Sequence, residues 1–160
     1  LEAMGLVISQ PFKETVVADV SKEEIVDLLI PIRLQLELYT LKTHLHALDT
    51  ELFLILAGIV RQMELLAEEQ NLLGIVEEDI RFHETILRMT DAVFPLQVWN
   101  SIVNRLRLHF IKNTRFFPHL HKVADDHALL LEALRSRDFE KIETLWIHHI
   151  REKDSLLCFA

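Results

Sequence analysis

Three Gly and four Pro are all that this 160-residue chain has for sharp turns. That scarcity limits its fold more than any motif it carries. Gly and Pro together usually make up about 12% of a chain. Sandwiches and barrels need a turn signal every ~10 positions. An all-β fold is therefore excluded, and a helical one is expected.

From Ser21 onward the apolar residues recur at helical spacing. Ser21-Lys22-Glu23-Glu24 reads as a capping box, in which Glu24 reaches back to the helix start. Ile25, Leu28, Leu29, Ile32, Leu36 and Tyr39 mark the apolar face of the first helix, and Pro31 bends or splits it. Asp49 or Thr50 caps a second helix through about Glu69. A third runs from about Leu73 to Met89. Asp91 precedes a fourth over Pro95 to Asn113, and Phe117-Pro118 ends it. A fifth covers His119 to Arg135, and Asp138 caps a sixth through about Lys153. The loops are short, so neighbouring helices should run antiparallel. The expected body is an all-α, antiparallel bundle of six helices, or seven if Pro31 divides the first.

The first twenty residues differ. Leu1-Glu2-Ala3-Met4-Gly5 resembles a helix end with Gly just beyond it. Leu6 to Ser9 and Glu14 to Val20 are rich in β-branched residues and predict a small N-terminal β-hairpin around Gln10-Pro11-Phe12-Lys13. Two strands alone are marginal in water, so they must lean on other structure. The chain starts at Leu1 with its first Met at position 4, and is expected to be part of something longer.

Charge narrows the partners. Seventeen Lys and Arg stand against 25 Asp and Glu, a formal net charge of −8, which argues against nucleic-acid binding by this chain alone. The single cysteine, Cys158, rules out an internal disulfide framework and fits a reducing compartment. The longest apolar run, Leu52 to Val60, is far short of the ~18–20 residues of a membrane span. No basic start leads into an apolar stretch, so a cytoplasmic location is expected.

Nine histidines stand in the chain, and the question is whether some converge. Asp79 and His83 lie four apart. At about 100° per residue they project within roughly 40° of each other. Their face is apolar, with Ile75, Ile86 and Leu87 on or beside it. A carboxylate and an imidazole aimed at a core need compensation. They satisfy each other as an i,i+4 pair, or they are the first two ligands of a metal. His127 lies on a helix whose inner positions are Val123, Leu130, Leu131 and Leu134. His148 and His149 follow Ile142, Leu145 and Trp146, and at most one of the two faces the core centre. Bundles build metal sites from such inward side chains. One carboxylate and three imidazoles suit zinc, nickel, manganese or iron(II). Spacing alone leaves core pairing and metal ligation equally open. Two familiar patterns fail. His83-Glu84 begins H-E-x-x-H, but Leu87 stands at its fifth position, and no Glu precedes any His by three.

Asp79-Ile80-Arg81-Phe82-His83 resembles the D-x-x-F-H signature of the FCD effector domain, found in the FadR-type branch of GntR transcription regulators. Arg33-Leu34-Gln35-Leu36-Glu37 is similar to that domain's R-x-x-L-E helix. His127 to Leu134, followed by Arg137-Asp138, resembles H-x-x-I-L-x-A-I-x-x-G-D, and Trp146 to Ile150 resembles the closing M-x-x-H-I. Leu1 to Val20 resembles the end of the winged-helix DNA-binding domain, its recognition-helix close and its wing. Three places depart from the pattern: Glu14 at the wing, Arg137 before Asp138, and Thr90-Asp91-Ala92 after the third helix. The resemblance implies a metal set of Asp79, His83, His127 and His149. It also implies a boundary between a winged-helix remnant (1–20) and an effector-binding, dimerising domain (21–160).

The first functional expectation is therefore an effector-sensing domain of a DNA-binding regulator. It would take a small organic acid at a divalent transition metal, zinc first, with nickel, manganese or iron as alternatives. Arg33 is the candidate for the ligand's far charge, since guanidinium grips carboxylate by two prongs; a pair with Glu37 is its competing role. Arg61, Arg81, Arg105 and Arg107 are expected to be solvated, with Arg107 a further candidate for the cavity. A homodimer is expected because such regulators bind paired half-sites, and because a mean hydropathy of +0.19 leaves apolar surface to cover. DNA would be met through the mostly missing N-terminal domain. The alternative is a helical metal-dependent hydrolase or lyase acting on small carboxylates. Against it, Glu78 and Glu84 point off the ligand face and no general base stands ready, so an enzyme is not expected. A third possibility is a metal-free interaction module in which the four residues are core polar groups.

Overall fold

The computed structural model describes residues 7–8, 16–89, 93–151 and 153–159. Its body is all-α. The helices are α1 (Ile30–His44), α2 (Thr50–Glu68), α3 (Leu72–Arg88), α4 (Val93–Thr114), α5 (His121–Ser136) and α6 (Phe139–Arg151). A π-helical stretch, Glu24–Leu29, leads into α1. Leu29 and Ile30 keep right-handed helical dihedrals, so Pro31 does not divide the first helix.

Local chemistry sets the helix starts. Asp49 accepts a hydrogen bond from the Leu52 N–H at 2.8 Å, and Asn71 accepts one from Gly74 at 3.0 Å. Asp138 accepts from the amides of Glu140 and Lys141. Ser21 accepts from Glu24 N–H at 3.1 Å, as a capping box requires. The other half of that box is absent. The Glu24 carboxylate instead takes a two-pronged ion pair from Arg105 on α4, at 2.7 and 2.6 Å. Arg105 is thus an anchor for the start of the bundle and not a solvated side chain. Arg137 ends α5 at φ 53°, where Gly is usual, and its guanidinium donates to the Leu48 carbonyl.

Packing places α2 against α3 and α5, α3 also against α4, and α1 against α3, α4 and α6. Trp99, Trp146, Phe82, Leu56 and Met63 are fully buried between them. The inner face of α1 differs from the expected one. Leu28 and Tyr39 are 53% and 56% exposed. The buried positions are Ile30, Arg33, Leu34, Glu37, Thr40 and Leu41. Three polar residues at i, i+4 and i+7 share that face, so a search for apolar periodicity selects the neighbouring stripe instead.

At the N-terminus, Val7 pairs with Val17 and Ile8 with Val16 in an antiparallel ladder between β1 (Val7–Ile8) and β2 (Val16–Val17). Two pairs do not make the expected hairpin. Strand pairing has ended by Ala18, and the expected turn and helix end lie outside the described residues. Thr90-Asp91-Ala92 lie outside them too. Beyond α6 the chain forms a 3-10 stretch, Lys153–Phe159, that packs on α4. The sequence pattern gives no sign of it.

Candidate metal and effector site

Asp79 and His83 project from one face of α3, one turn apart. His127 comes from the middle of α5, and His149 from the last turn of α6. One ligand atom from each of the four lies within 4.8 Å of every other. Asp79 Oδ1 stands 3.0 Å from His127 Nε2 and 3.4 Å from His83 Nε2, and the two Nε2 atoms are 3.2 Å apart. The His149 ring stacks on His83 with centroids 5.3 Å apart. His148, its neighbour, is exposed and stands outside the cluster. The structure therefore chooses between the two histidines that sequence spacing left open.

The other ring nitrogens decide what the cluster can do. His127 Nδ1 lies 2.8 Å from the Val123 carbonyl, which can only accept, so Nδ1 carries the proton and Nε2 the lone pair. His83 Nδ1 lies 2.8 Å from Glu37 Oε2. Burial pushes the Glu37 carboxyl up, but the charges of His83 and Arg33 and their hydrogen bonds outweigh it and hold it down to about 2. Glu37 is an anion that accepts, so His83 Nδ1 donates as well. Two lone pairs then face each other beside a carboxylate oxygen. Such a point needs a positive charge: a proton on one ring, or a metal ion. A carboxylate oxygen and three imidazole nitrogens are a donor set for a divalent transition metal, and each oriented imidazole has the backing such ligands use. The residues fit the ion.

The charge pattern agrees. Burial raises the Asp79 carboxyl, but the His127 and His83 rings beside it, once one of them carries a proton on Nε2, outweigh burial and leave it well below the usual range. Burial keeps His149 neutral far below the ordinary imidazole value, with His127 and His83 adding to the effect. Burial opposes charge on His83, yet the Glu37 anion overrides it and shifts that ring upward. The surroundings of His83 thus favour a proton on that ring.

Asp79, His127 and His149 form one wall of a cavity of about 70 Å³. A bound water needs ~10–15 Å³ of such space, so the room suits a small solute. Val76, Phe117 and Val123 make the cavity half-apolar; His109, Asn113 and Thr114 of α4 and Arg33 of α1 add polar groups. Arg33 takes the competing role expected of it, the pair with Glu37. Its Nε donates to Glu37 Oε1 at 2.8 Å. Its Nη2 is buried and has no hydrogen-bond partner among the described residues. Arg107 does not reach this cavity, since it pairs with Glu77 and Asn104. Glu78 and Glu84 are engaged by Arg81 and Arg88, off the cluster.

Sequence reasoning missed two residues here. Glu37 was visible only as Arg33's partner, although it also binds His83 and the Trp146 indole. His109 had no spacing signal at all. It is 2% exposed, stacks on Phe159 and places Nδ1 3.8 Å from Cys158 Sγ.

A helical bundle with an inward carboxylate–histidine cluster beside a small mixed cavity has room and donors for a small ligand. The FCD domain matches residues 28–152, and the chain belongs to that family, the effector-binding domain of GntR-type transcription regulators. E. coli McbR/YncC has a similar solved structure, with a TM-score of 0.82 at 16% sequence identity, over 98% of this chain and 78% of that one. At that identity the likeness shows a shared fold. No curated protein sequence matches the chain. The family is one of regulators and not of enzymes, so the hydrolase or lyase alternative falls away. Among the described residues no helix is long and apolar enough to cross a membrane.

Proposed function

We propose that this effector-sensing domain takes a small organic acid at a divalent metal held by Asp79, His83, His127 and His149. The observation that carries the reading is the convergence of those four donor atoms, within 4.8 Å, beside a cavity lined by Arg33, whose Nη2 is buried and has no hydrogen-bond partner among the described residues. Zinc suits the donor set best, and nickel, manganese and iron(II) also suit it. When bound, the ion supplies a positive centre with open positions for a carboxylate. Arg33 pairs the ligand's far charge. Val76, Phe117 and Val123 shed water from its carbon skeleton, and Asn113 and Thr114 offer it hydrogen bonds.

The decisive experiment is elemental analysis of protein purified without chelator, followed by thermal melts with single small carboxylates. A ligand that binds only the folded state stabilises it by about 2.7 kcal/mol at a hundredfold excess over its Kd. Stoichiometric metal and a carboxylate-dependent melting shift are expected. A shift of equal size in an Asp79→Ala, His83→Ala double variant refutes coordination.

Residues 21–160 are the sensing and dimerising unit in this reading, and residues 1–20 are the end of a winged-helix domain. Exposed Leu54, Ile55 and Leu65 on α2 are apolar surface that a second copy would cover. A monomer mass by light scattering at tens of micromolar would count against the dimer. The parent regulator works on DNA in the cytoplasm. Residues 1–160 alone should bind no DNA specifically, because a major-groove reader needs its full helix-turn-helix. An anisotropy titration with and without the upstream segment tests both halves.

A further inference from the structure

Glu37 is 0% exposed and carries three hydrogen bonds, from three different helices. Arg33 Nε of α1 donates to Oε1 at 2.8 Å. His83 Nδ1 of α3 and Trp146 Nε1 of α6 both donate to Oε2, at 2.8 and 2.6 Å. Guanidinium and indole can only donate, so the carboxylate must accept from every neighbour. That requirement protonates His83 at Nδ1 and leaves its Nε2 lone pair pointing at Asp79 and His127.

The same carboxylate orients Arg33. A guanidinium is planar with a rigid fork, so fixing Nε fixes the plane. Phe110 holds that plane from the other side, its ring centroid 5.1 Å from Arg33 Cζ. What remains is Nη2, buried and unpaired, on a residue that lines the cavity. Trp146 locks the carboxylate in turn and lies one turn before His149 on α6. A carboxylate present only to neutralise Arg33 would not need His83 and Trp146 on its second oxygen.

We propose that Glu37 is a positioning residue that aims the His83 imidazole at the metal point and the Arg33 guanidinium at the effector. One buried carboxylate thereby governs both halves of the site. This rests on the metal and effector reading above, and nitrogen chemistry tests it separately from that reading.

The experiment uses the whole 160-residue chain and Co(II) as probe. Two-bond proton–nitrogen correlation on the metal-free protein, above the imidazole titration range, reads the His83 tautomer. The wild type should show a protonated Nδ1 and a bare Nε2. Glu37→Ala should lose that preference. Competition against a chelator should then show Co(II) affinity ~10–100-fold lower in Glu37→Ala, the usual span for losing a group behind a ligand. Glu37→Gln, whose amide oxygen still accepts, should sit at about the low end of that span, and it serves as the reporter if Glu37→Ala does not fold. Far-UV circular dichroism identifies the folded variants. Unchanged Co(II) affinity and unchanged His83 nitrogen shifts in a folded variant overturn the assignment. A wild type that ignores Co(II) overturns the metal reading instead, and the nitrogen shifts then decide the role of Glu37 alone.

Discussion

Two carboxylates approach His83 from opposite sides of its ring, Glu37 fully buried and Asp79 15% exposed, and they are in different states. Glu37 has three N–H donors and is saturated. Asp79 faces two imidazole nitrogens whose protons are committed elsewhere, to Glu37 and to the Val123 carbonyl. The first is the end point of a satisfied network. The second sits in an arrangement that lacks one positive charge. Both carboxylates are held charged against the cost of burial, so charge alone does not identify the site. The direction in which the hydrogens point does.

Breaking the saturated side should have the largest effect on folding. Glu37→Ala leaves Arg33 and the Trp146 indole without their acceptor in the core, and removing one partner of a buried charged network costs about 3–5 kcal/mol. Urea denaturation of the metal-free chain measures this. A loss below about 1 kcal/mol would mean that the network is not worth more than an ordinary hydrogen bond.

Filling the unsatisfied side should come next. Free Zn(II) at a hundredfold excess over its Kd should stabilise the wild type by about 2.7 kcal/mol. His127→Ala removes an Nε2 from the cluster and should abolish that gain. A variant that keeps the full gain would place the metal elsewhere.

A pH series sharpens the comparison, because proton and metal compete for one point. The folded value of His83 is raised. Its contribution to metal-free stability is therefore complete below the unfolded value of ~6.5 and is lost as pH rises through the folded value. Metal affinity runs the other way and weakens below pH ~6, as imidazoles take up protons. The metal-induced melting shift should grow from acid to neutral pH. On the far acid side, Glu37 contributes about 3 kcal/mol, by linkage from its lowering to about 2. That contribution is lost as pH falls from the ordinary Glu range through about 2. A melting shift independent of pH would remove the histidines from the coordination set.

The smallest effect is expected on the outer face of α3. Arg81 pairs with Glu78, the residue before Asp79, but its side chain is 61% exposed. Arg81→Ala should change stability by no more than about 0.5 kcal/mol, and thermal melts can check it against Glu37→Ala on the same day. A larger loss would show that charge at this end of α3 matters beyond the buried cluster.

The pairs on α1 and α3 show what could be read in advance. Asp79 and His83 stand on a helix face that is otherwise apolar, so two polar residues at i,i+4 are conspicuous. Arg33 and Glu37 have the same spacing and are both buried. Around α1, however, the apolar residues Leu28, Ile32, Leu36 and Tyr39 form a better-looking stripe, of which Leu28 and Tyr39 are exposed and Ile32 and Leu36 only partly buried. Apolar periodicity finds the core only where the core is apolar. Spacing singled out Asp79, His83, His127 and one of His148 and His149 as candidate ligands, and the FCD resemblance implied His149. From spacing alone, His148 and His149 were interchangeable.

What the sequence determined by itself is local. Scarce turn residues, 3.6-residue periodicity and the caps at Asp49 and Asp138 place the helices, because those interactions span at most one turn. The same range brings Asp79 beside His83. Tertiary structure decided everything that spans longer separations. It set His83 against Glu37 across 46 positions and Trp146 against Glu37 across 109. It put His149 inside the cluster and His148 outside, and it laid Phe159 over His109. Helix rotation about its own axis is fixed by which neighbours bury it, and a rotation of one residue, about 100°, is enough to exchange a ligand for a surface side chain.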